Sequence, residues 1–318
     1  MTAITKYDEN KMTSVENFGN AIIEEFIASR HGSETTQKTY RNACRVLVNY
    51  FASKGIANPT TADVDSFINE LRAAKKSPNT IRLYVTVTKL FFSFLAKKGK
   101  YPDVAAETAP LKLRKSATHS KKSLTDAQAK KLLNAVSGND LAARRDRAII
   151  ALCLQCGLRT VEVARADVKD LHEDDGFYLL DVQGKGRLIK DETVKVAMPV
   201  ARLILRYLEL RGNVGGDEPL FASTSNNNSK FGNRYSEQSV GKMIKAAMKK
   251  VGICDDKISA HSARHYSATR ALKSGVDIRE VSQMLRHSSL NVTLTYAHDI
   301  SLKNRRAELA VADALFSD

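Results

Sequence analysis

Residues 261–298 read HSARHYSATRALKSGVDIREVSQMLRHSSLNVTLTYAH and contain four of the seven histidines of the chain. Arg264 follows His261 by three positions, a spacing that places both side chains on one face of a helix. An arginine binds two oxygens of a phosphate as a fork, and an imidazole beside it donates a hydrogen bond or moves a proton. Such a pair also arises by chance in many helices, and a tyrosine such as Tyr296 on a short amphipathic segment is usually a packing residue. Alone, this stretch favours packing over chemistry.

The composition narrows the class of protein. A chain of 318 residues indicates two domains, and its formal net charge of +15 attracts polyanions, of which nucleic acid is the usual one. A basic protein without such a partner is the alternative. No stretch approaches the ~18 uninterrupted apolar residues of a membrane span. Residues 1–18 lack the apolar core of a signal peptide, so we expect a soluble, cytoplasmic protein.

Two of the four cysteines, Cys153 and Cys156, form a CxxC pair that invites a zinc or redox interpretation. They lie within the apolar run AIIALCLQCGL, which has helical spacing and no second pair of ligands nearby. We therefore interpret both as small buried residues of a helix and assign neither a metal nor a cofactor.

The N-terminal third has apolar residues at helical spacing. After a tail at 1–14, the pattern predicts a small all-helical domain over 15–107. Gly55 and Gly99 end two of its helices, and Thr61 is a plausible cap for a third. The four predicted helices are AIIEEFIASR (21–30), TYRNACRVLVNYFASKG (39–55), TADVDSFINELRAAK (61–75) and NTIRLYVTVTKLFFSFLAKKG (79–99).

A basic linker is predicted over 108–122, where the apolar periodicity stops. The sequence TAPLKLRKSATHSKKSL (108–124) contains no acidic residue. It fits either a passive tether or a strap along a phosphate backbone, and a linker can be both. The candidate backbone contacts are Lys112, Arg114, Lys115, Lys121 and Lys122.

The second domain, 123–318, is predicted to be mostly helical. Thr125 can cap a first helix, and residues 146–171 resemble a buried helix, a turn at Gly157 and another helix. The segment GFYLLDVQGKGRLIKDETVKVAMP (176–199) alternates as strands do around a glycine-rich turn. A polar loop at 222–236 interrupts the helices that follow. The fold class is therefore mainly α with a small antiparallel β-sheet.

The opening stretch resembles the C-terminal signature of the tyrosine recombinases, the phage-integrase superfamily that includes Cre and the bacterial Xer proteins. That signature is His-x-x-Arg, a second His or Trp about two dozen residues on, and a nucleophilic Tyr nine residues later. Here it falls on His261, Arg264, His287 and Tyr296.

Two upstream motifs extend the resemblance. The family has an arginine in a Gly-Leu-Arg turn with a glutamate three residues beyond, and CGLRTVEVARADV (156–168) supplies Arg159 and Glu162. It also has a lysine on a hairpin turn, for which VQGKGRLIK (182–190) supplies Lys185. Arg187 and Lys190 share this hairpin and are alternatives in register. With all six positions present in order, the resemblance favours chemistry for the tyrosine.

The resemblance implies a metal-independent cleavage and rejoining of DNA strands. Tyr296 would attack a phosphodiester, leaving a 3′-phosphotyrosine link and a free 5′-hydroxyl. Arg159 and Arg264 would bind the non-bridging oxygens. The remaining roles are hydrogen bonding to the phosphate by His261 and His287, with His261 accepting the tyrosine proton, protonation of the 5′ oxygen by Lys185, and support of the site by Glu162 and His265.

Local sequence around the tyrosine is consistent with these roles. On one continuous helix, His287 and Tyr296 would lie on opposite faces, so the chain has to break between them. Residues 287–289 supply such a break, and Asn291 is a plausible N-cap of the short helix that follows. Arg286 departs from Xer-type sequences, which usually have glycine there, and we expect it to add a contact to the DNA backbone. His298 is left without a role.

The resemblance also implies an architecture and an assembly. We expect a clamp of a helical core-binding domain and a mixed α/β catalytic domain, with no room for a further arm-binding domain. Monomers in free solution would assemble as four protomers on two inverted-repeat sites of double-stranded DNA and pass through a Holliday junction. The tail, 301–318, has an apolar stripe and would exchange between protomers or dock on its own domain. The stripe consists of Leu302, Leu309, Ala312 and Phe316.

The expected function is site-specific recombination at the nucleoid, for integration or excision of a mobile element or for resolution of DNA multimers. A second recombinase or an accessory protein can take part. One alternative is a type IB topoisomerase-like enzyme that nicks and closes one strand. The other is a DNA-binding regulator, which would lack at least one of the six residues. Base specificity cannot be read from these motifs.

Overall fold

The computed structural model describes residues 19–108, 122–184, 186–225, 231–297 and 315. The chain divides into two units, Met1–Lys115 and Ser116–Asp318, and the division falls within the predicted linker. Residues 109–121, Lys185 and almost all of the tail lie outside the described residues. Within the described ranges, we find no helix with the length and apolarity that crossing a membrane requires.

Four helices form the described part of the first unit. They are α1 (Asn20–Ala28), α2 (Glu34–Ser53), α3 (Thr61–Ala73) and α4 (Pro78–Lys97). Gly55 and Gly99 follow α2 and α4 with φ of +66° and +63°, the left-handed conformation that ends helices. The prediction of four helices is confirmed, and their core is rich in buried aromatic rings such as Phe26, Phe91 and Phe92.

Two helix starts differ from the prediction because polar caps, rather than apolar spacing, set them. The Ser33 hydroxyl accepts from the Thr36 amide, so α2 begins in the polar sequence ETTQK that carries no apolar signal. Thr60, not Thr61, caps α3, and the Asp63 carboxylate accepts a hydrogen bond from the Thr60 amide at 2.8 Å. This reciprocal pair is a capping box.

The described part of the second unit contains eight helices. They are α5 (Asp126–Asn134), α6 (Leu141–Gln155), α7 (Thr160–Arg165), α8 (Met198–Arg211), α9 (Glu237–Lys250), α10 (His261–Lys273), α11 (Ile278–Met284) and α12 (Leu290–Ala297). Thr125 caps α5 as predicted, through the Gln128 amide at 3.2 Å. Helix α6 is central to the core, and both Cys153 and Cys156 are buried. Burial raises the pKa of each of these thiols to about 12.

A three-stranded antiparallel sheet lies beside these helices, with strands in the order β1 (Leu171–Asp174), β2 (Phe177–Val182) and β3 (Glu192–Val196). The alternation of 176–199 predicted β2 and β3 correctly, and Leu180 and Val194 pair on the buried face. Strand β1 was not predicted, because LHED does not alternate and lies half exposed at the edge. Asp175 and Gly176, with φ of +46° and +75°, form the tight turn from β1 to β2.

Two turns bring the ends of helices together in this unit. Gly157, with φ of +60°, ends α6, and a Cβ there would approach Cδ2 of Leu285 to 2.6 Å. The turn before α7 therefore lies against the end of α11. The predicted break between His287 and Tyr296 is confirmed, but Asn291 is not the cap: α12 begins at Leu290, and the Ser289 hydroxyl accepts from the Asn291 amide at 3.3 Å.

Candidate active site

Seven of the predicted catalytic and supporting residues lie in the described ranges, on four neighbouring segments of the second unit. Arg159 and Glu162 lie at the start of α7, and three residues lie on α10, at His261, Arg264 and His265. His287 follows α11, and Tyr296 lies on α12. Hydrogen bonds and ring contacts join these segments, as described below. Lys185 lies outside the described residues.

Glu162 is the centre of the charged part of the site. It has no exposed surface, and it accepts from the Arg159 amide at 2.8 Å, from Nη1 of Arg159 at 2.6 Å and from Nη2 of Arg286 at 2.8 Å. Nη1 of Arg264 lies 4.0 Å from the same carboxylate. Burial alone would raise the pKa of Glu162, but Arg286 and the Arg159 amide outweigh it, and the pKa is lowered. Glu162 is therefore ionised and binds the surrounding arginines.

Arg264 is a buried cation. It is 1% exposed, its Nη1 donates to the Gly157 carbonyl at 2.6 Å, and its Nη2 donates to the Leu285 carbonyl. Its Nε is buried and has no hydrogen-bond acceptor among the described residues. Burial, followed by the charge of Arg159, lowers the pKa of Arg264 to about 10. An approaching anion would relieve this repulsion, so the site favours a bound phosphate.

A chain of aromatic rings holds the tyrosine. The rings of His261 and His265 meet edge to face at 4.9 Å, and those of His265 and Tyr296 at 4.8 Å. The ring of His287 lies parallel to that of Tyr296, with centroids 5.8 Å apart. Burial raises the pKa of the Tyr296 phenol, while Arg264 opposes it by its charge and a hydrogen bond, as does Arg159 by its charge. The phenol is thus protonated at neutral pH and lies within reach of both arginine charges.

His287 is a neutral hydrogen-bonding group in this environment. Burial and then the charges of Arg264 and Arg159 lower its pKa from 6.5 to about 3. Its Nδ1 lies 2.7 Å from Oγ1 of Thr293, a fully buried side chain. Thr293 was not predicted as a site residue; its only signal in the sequence is a hydroxyl three positions before Tyr296, on the same face of a helix.

The β2–β3 hairpin, which carries Lys185, has its other basic residues engaged. Arg187 binds Asp191 at 2.5 Å, and Lys190 binds both Asp167 and Asp170. The Gly184 carbonyl accepts from Nη1 of Arg165, at the end of α7, at 3.1 Å. This bond joins the hairpin to α7, the helix that follows Arg159.

Of the predicted contacts to the DNA backbone, only Lys122 and Arg286 lie in the described residues. Lys112, Arg114, Lys115 and Lys121 lie outside the described residues. Nζ of Lys122 binds Asp255 at 2.9 Å on the surface of the second unit. The Arg286 side chain is 3% exposed and binds Glu162. Within the described ranges, no group of three or more His, Cys, Asp and Glu side chains is arranged to hold a metal ion.

Two family models match most of the chain. Residues 122–302 match the model of the phage integrase family, and residues 20–99 match the phage integrase N-terminal SAM-like domain. The tyrosine recombinase XerA of Pyrococcus furiosus is 30% identical over 279 residues, which cover 86% of this chain and 88% of that protein.

Two solved structures share the fold. XerH bound to palindromic difH, in a post-cleavage complex, has a TM-score of 0.66 at 19% identity, covering 88% of this chain and 79% of that one. A lambda integrase tetramer bound to a Holliday junction has a TM-score of 0.64 at 16% identity, covering 90% and 77%. The two family models span most of the chain and the XerA relative aligns along it, so the chain belongs to the phage integrase family, the tyrosine recombinases.

Proposed function

We propose that this chain is a site-specific DNA recombinase in which Tyr296 is the nucleophile. The observation that carries this proposal is the position of the Tyr296 phenol, which is buried against the rings of His265 and His287 and close to the charges of Arg264 and Arg159. A packing tyrosine gains nothing from two nearby arginine charges. For a nucleophile, the same charges stabilise the phenolate that attacks phosphorus.

The reaction exchanges one phosphodiester for another. A bond forms between the tyrosine oxygen and phosphorus while the bond to the 5′ oxygen breaks, leaving a 3′-phosphotyrosine link. The phenol proton passes to His261, and the 5′ oxygen takes a proton from Lys185. Arg159 and Arg264 bind the equatorial oxygens, where negative charge develops, and preorganised donors of this kind are typically the largest catalytic contribution.

Lys185 is the best candidate for the acid among the three basic residues of its hairpin. Arg187 and Lys190 each bind carboxylates, and Lys190 is bound by two of them. These ion pairs count against Arg187 and Lys190 as the acid. The Gly184 carbonyl, held by Arg165, anchors the chain one residue before it.

For the assembly, we propose four protomers on two inverted-repeat sites of double-stranded DNA. The solved relatives with the same fold include one on palindromic DNA and one tetramer on a Holliday junction. Free protein would be monomeric, and a second recombinase or an accessory protein can join the complex. The protein would act at the nucleoid, in integration or excision of a mobile element or in resolution of DNA multimers.

We further propose that the tail, 301–318, exchanges between protomers. A mostly apolar cavity of about 510 Å³ lies between the end of α6, strand β3 and helices α10 and α11. Its apolar lining includes Val194, Ala271, Val276, Val281 and Met284. An apolar stripe on a short helix needs such a surface, because the helix is marginal alone.

The alternatives are less favoured. A type IB topoisomerase-like enzyme would share the chemistry, but the family models and the XerA relative indicate a recombinase. A regulator without catalysis would lack one of the six residues, and all six are present in the sequence.

The proposal is tested with Tyr296→Phe on a nicked suicide substrate, which traps the covalent complex. The change removes one oxygen and keeps the ring, so packing and DNA binding should survive. We expect wild type to form a covalent protein–DNA band on a denaturing gel in the presence of a chelator, and the variant to form none. A covalent band with phenylalanine at 296, or a requirement for added metal, would overturn the mechanism.

A further inference from the structure

Arg286 adopts a backbone conformation that arginine rarely takes. Its φ is +54°, in the left-handed region where a Cβ is disfavoured and glycine is the usual residue. Lys75 and Asp175 are the other such residues in the described ranges, and both are exposed in turns. Arg286 is 9% exposed. A buried arginine in this conformation needs a compensating interaction, because neither the backbone nor the burial of charge favours it.

The side chain of Arg286 finds that interaction at Glu162. Nη2 donates to Oε2 of Glu162 at 2.8 Å, and Nη1 donates to the Met284 carbonyl at 2.6 Å. Its Nε is buried without an acceptor among the described residues. The side chain is only 3% exposed, and these two acceptors hold its guanidinium against the protein. The geometry therefore favours a contact with Glu162 over the contact with DNA that the sequence suggested.

The backbone of the same turn contacts both arginines assigned to the phosphate. The Leu285 carbonyl accepts from Nη2 of Arg264, and the Arg286 carbonyl accepts from Nη2 of Arg159 at 3.4 Å. Arg286 thus meets the charged cluster twice, through its carbonyl and through its guanidinium. The two contacts close a loop that runs from Arg159 through Glu162 to Arg286 and back.

The Arg286 side chain matters because it balances the negative charge of Glu162. Glu162 is buried and ionised, and an unpaired charge of that kind draws in the nearest cation. Arg159 and Arg286 bind it directly, whereas Nη1 of Arg264 stays 4.0 Å away and donates to Gly157 instead. Without Arg286, Glu162 would pull Arg264 towards itself and away from the place of the phosphate.

We propose that Arg286 is a positioning residue of DNA cleavage: it binds Glu162 and so keeps Arg159 and Arg264 available to the scissile phosphate. This inference rests on the proposed function, since it concerns the step in which Tyr296 attacks. It assigns Arg286 no contact with DNA.

The test uses Arg286→Gly, because glycine accepts the left-handed turn and the substitution removes only the side chain. Arg286→Lys keeps a charge without the fork that reaches both Glu162 and Met284. Asp175→Gly is the matched control, because it relieves the same backbone conformation far from the site in the β1–β2 turn. Thermal unfolding, half-site binding over a salt series, and single-turnover cleavage of the suicide substrate are measured for each variant.

We expect Arg286→Gly to bind the half-site with the salt slope of wild type but to cleave about 10- to 100-fold more slowly, the usual loss when a supporting partner of a site is removed. Arg286→Lys should fall between the two, and Asp175→Gly should cleave as wild type does. Added methylguanidinium should restore part of the cleavage rate of Arg286→Gly alone. In a Glu162→Gln background, Arg286→Gly should cause little further loss, because its partner carboxylate is gone.

Three outcomes would overturn the inference. One is cleavage by Arg286→Gly at the wild-type rate. Another is a salt slope shallower by about 0.9, which would mean a lost phosphate contact instead. The third applies if Arg286→Gly does not fold. In that case, an Arg286→Lys variant that folds and cleaves as fast as wild type would show that the guanidinium fork is not needed. Wild type that forms no covalent complex would instead contradict the proposed function, whatever Arg286 does.

Discussion

The imidazole of His287 lies parallel to the phenol of Tyr296, with ring centroids 5.8 Å apart and ring planes 3° apart. Each imidazole nitrogen makes its hydrogen bonds in the plane of the ring. Nδ1 of His287 is directed to Thr293 at 2.7 Å. This contact leaves Nε2 for other partners, and we propose that Nε2 hydrogen-bonds the phosphate while His261 accepts the phenol proton.

Thr293 should control which nitrogen of His287 carries the proton. If its hydroxyl donates to Nδ1, the neutral ring carries hydrogen on Nε2, where a phosphate can accept it. We predict that Thr293→Val slows single-turnover cleavage about tenfold, the equivalent of one lost hydrogen bond. Thr293→Ser keeps the hydroxyl and should stay near wild type. Equal rates for the valine and serine variants would show that the hydroxyl has no part in cleavage.

The low pKa of His287 predicts a pH-dependent stability. Its pKa is about 3 in the folded protein against 6.5 ordinarily, because of burial and then the arginine charges. Between these values the unfolded chain binds a proton that the folded chain does not, so falling pH reduces the free energy of unfolding. We predict that the unfolding free energy of wild type minus that of His287→Gln decreases as pH falls below 6.5. Urea denaturation of both proteins at pH 7 and pH 5 measures this quantity, and an increase at pH 5 would contradict the prediction.

Local signals explain what the sequence could predict. Apolar spacing and helix-ending glycines such as Gly55 and Gly157 act within a few residues, so most helices and the break before α12 were correctly predicted. Strand β1 has no alternation, and it forms because β2 offers it a partner.

The same distinction holds for the site. Its residues could be predicted because the motifs have a fixed spacing along the chain, whereas the contacts between their side chains could not be predicted. The direction of the Arg286 side chain depends on Glu162, 124 positions earlier in the chain. Arg159 and Arg286 both bind that carboxylate at hydrogen-bonding distance. Only the folded structure shows that Arg264 lies farther away, at 4.0 Å.

The hairpin lysine should act as the acid for the leaving oxygen. We predict that Lys185→Ala cleaves ordinary DNA about 10²- to 10⁴-fold more slowly, as for other lost general acids. A substrate with sulfur at the bridging 5′ position should restore most of the rate, because a thiol has a pKa of about 8.5 and leaves without a proton.

Two variants of the same hairpin are the controls. Arg187→Ala should cleave both substrates as wild type does. Lys190→Ala should be less stable, because it removes the cation bound to Asp170 and one of the two bound to Asp167, and the sulfur substrate should not correct its defect. If the sulfur substrate rescues Lys190→Ala but not Lys185→Ala, the acid has been assigned to the wrong residue.

The basic linker should share in DNA binding. We predict that Gln at the five linker positions weakens binding to specific and unrelated DNA alike and flattens the salt dependence by ~0.9 in log–log slope for each lost phosphate contact. Lys122 can contribute, because its exposed pair with Asp255 is of a weak kind and can exchange for phosphate. The measurement is a binding titration over a salt series. An unchanged slope would mean that the linker is a passive tether.

The tail should couple protomers through the apolar cavity beside α10 and α11. Truncation after Lys303, or Leu309→Asp with Phe316→Asp, removes the apolar stripe that we assign to the cavity. Ala310→Asp with Ser317→Asp is the matched control, since it adds the same charge one position away from the stripe. Val276→Trp fills the cavity from the other side of the proposed contact. We predict that the stripe and cavity variants bind a single half-site normally but lose cooperative filling of the second half-site.

Mixing two defective proteins distinguishes exchange from docking on the same protomer. A tail-truncated protomer keeps its cavity, and a Val276→Trp protomer keeps its tail, so together they can form one contact across a full site. Exchange therefore predicts that the mixture recovers part of the cooperativity that each protein lacks alone, as measured by gel-shift titration on half and full sites. Docking in cis predicts no recovery, because each protomer is defective by itself. Cooperative filling of full sites by the truncated protein would show that the tail does not couple the protomers at all.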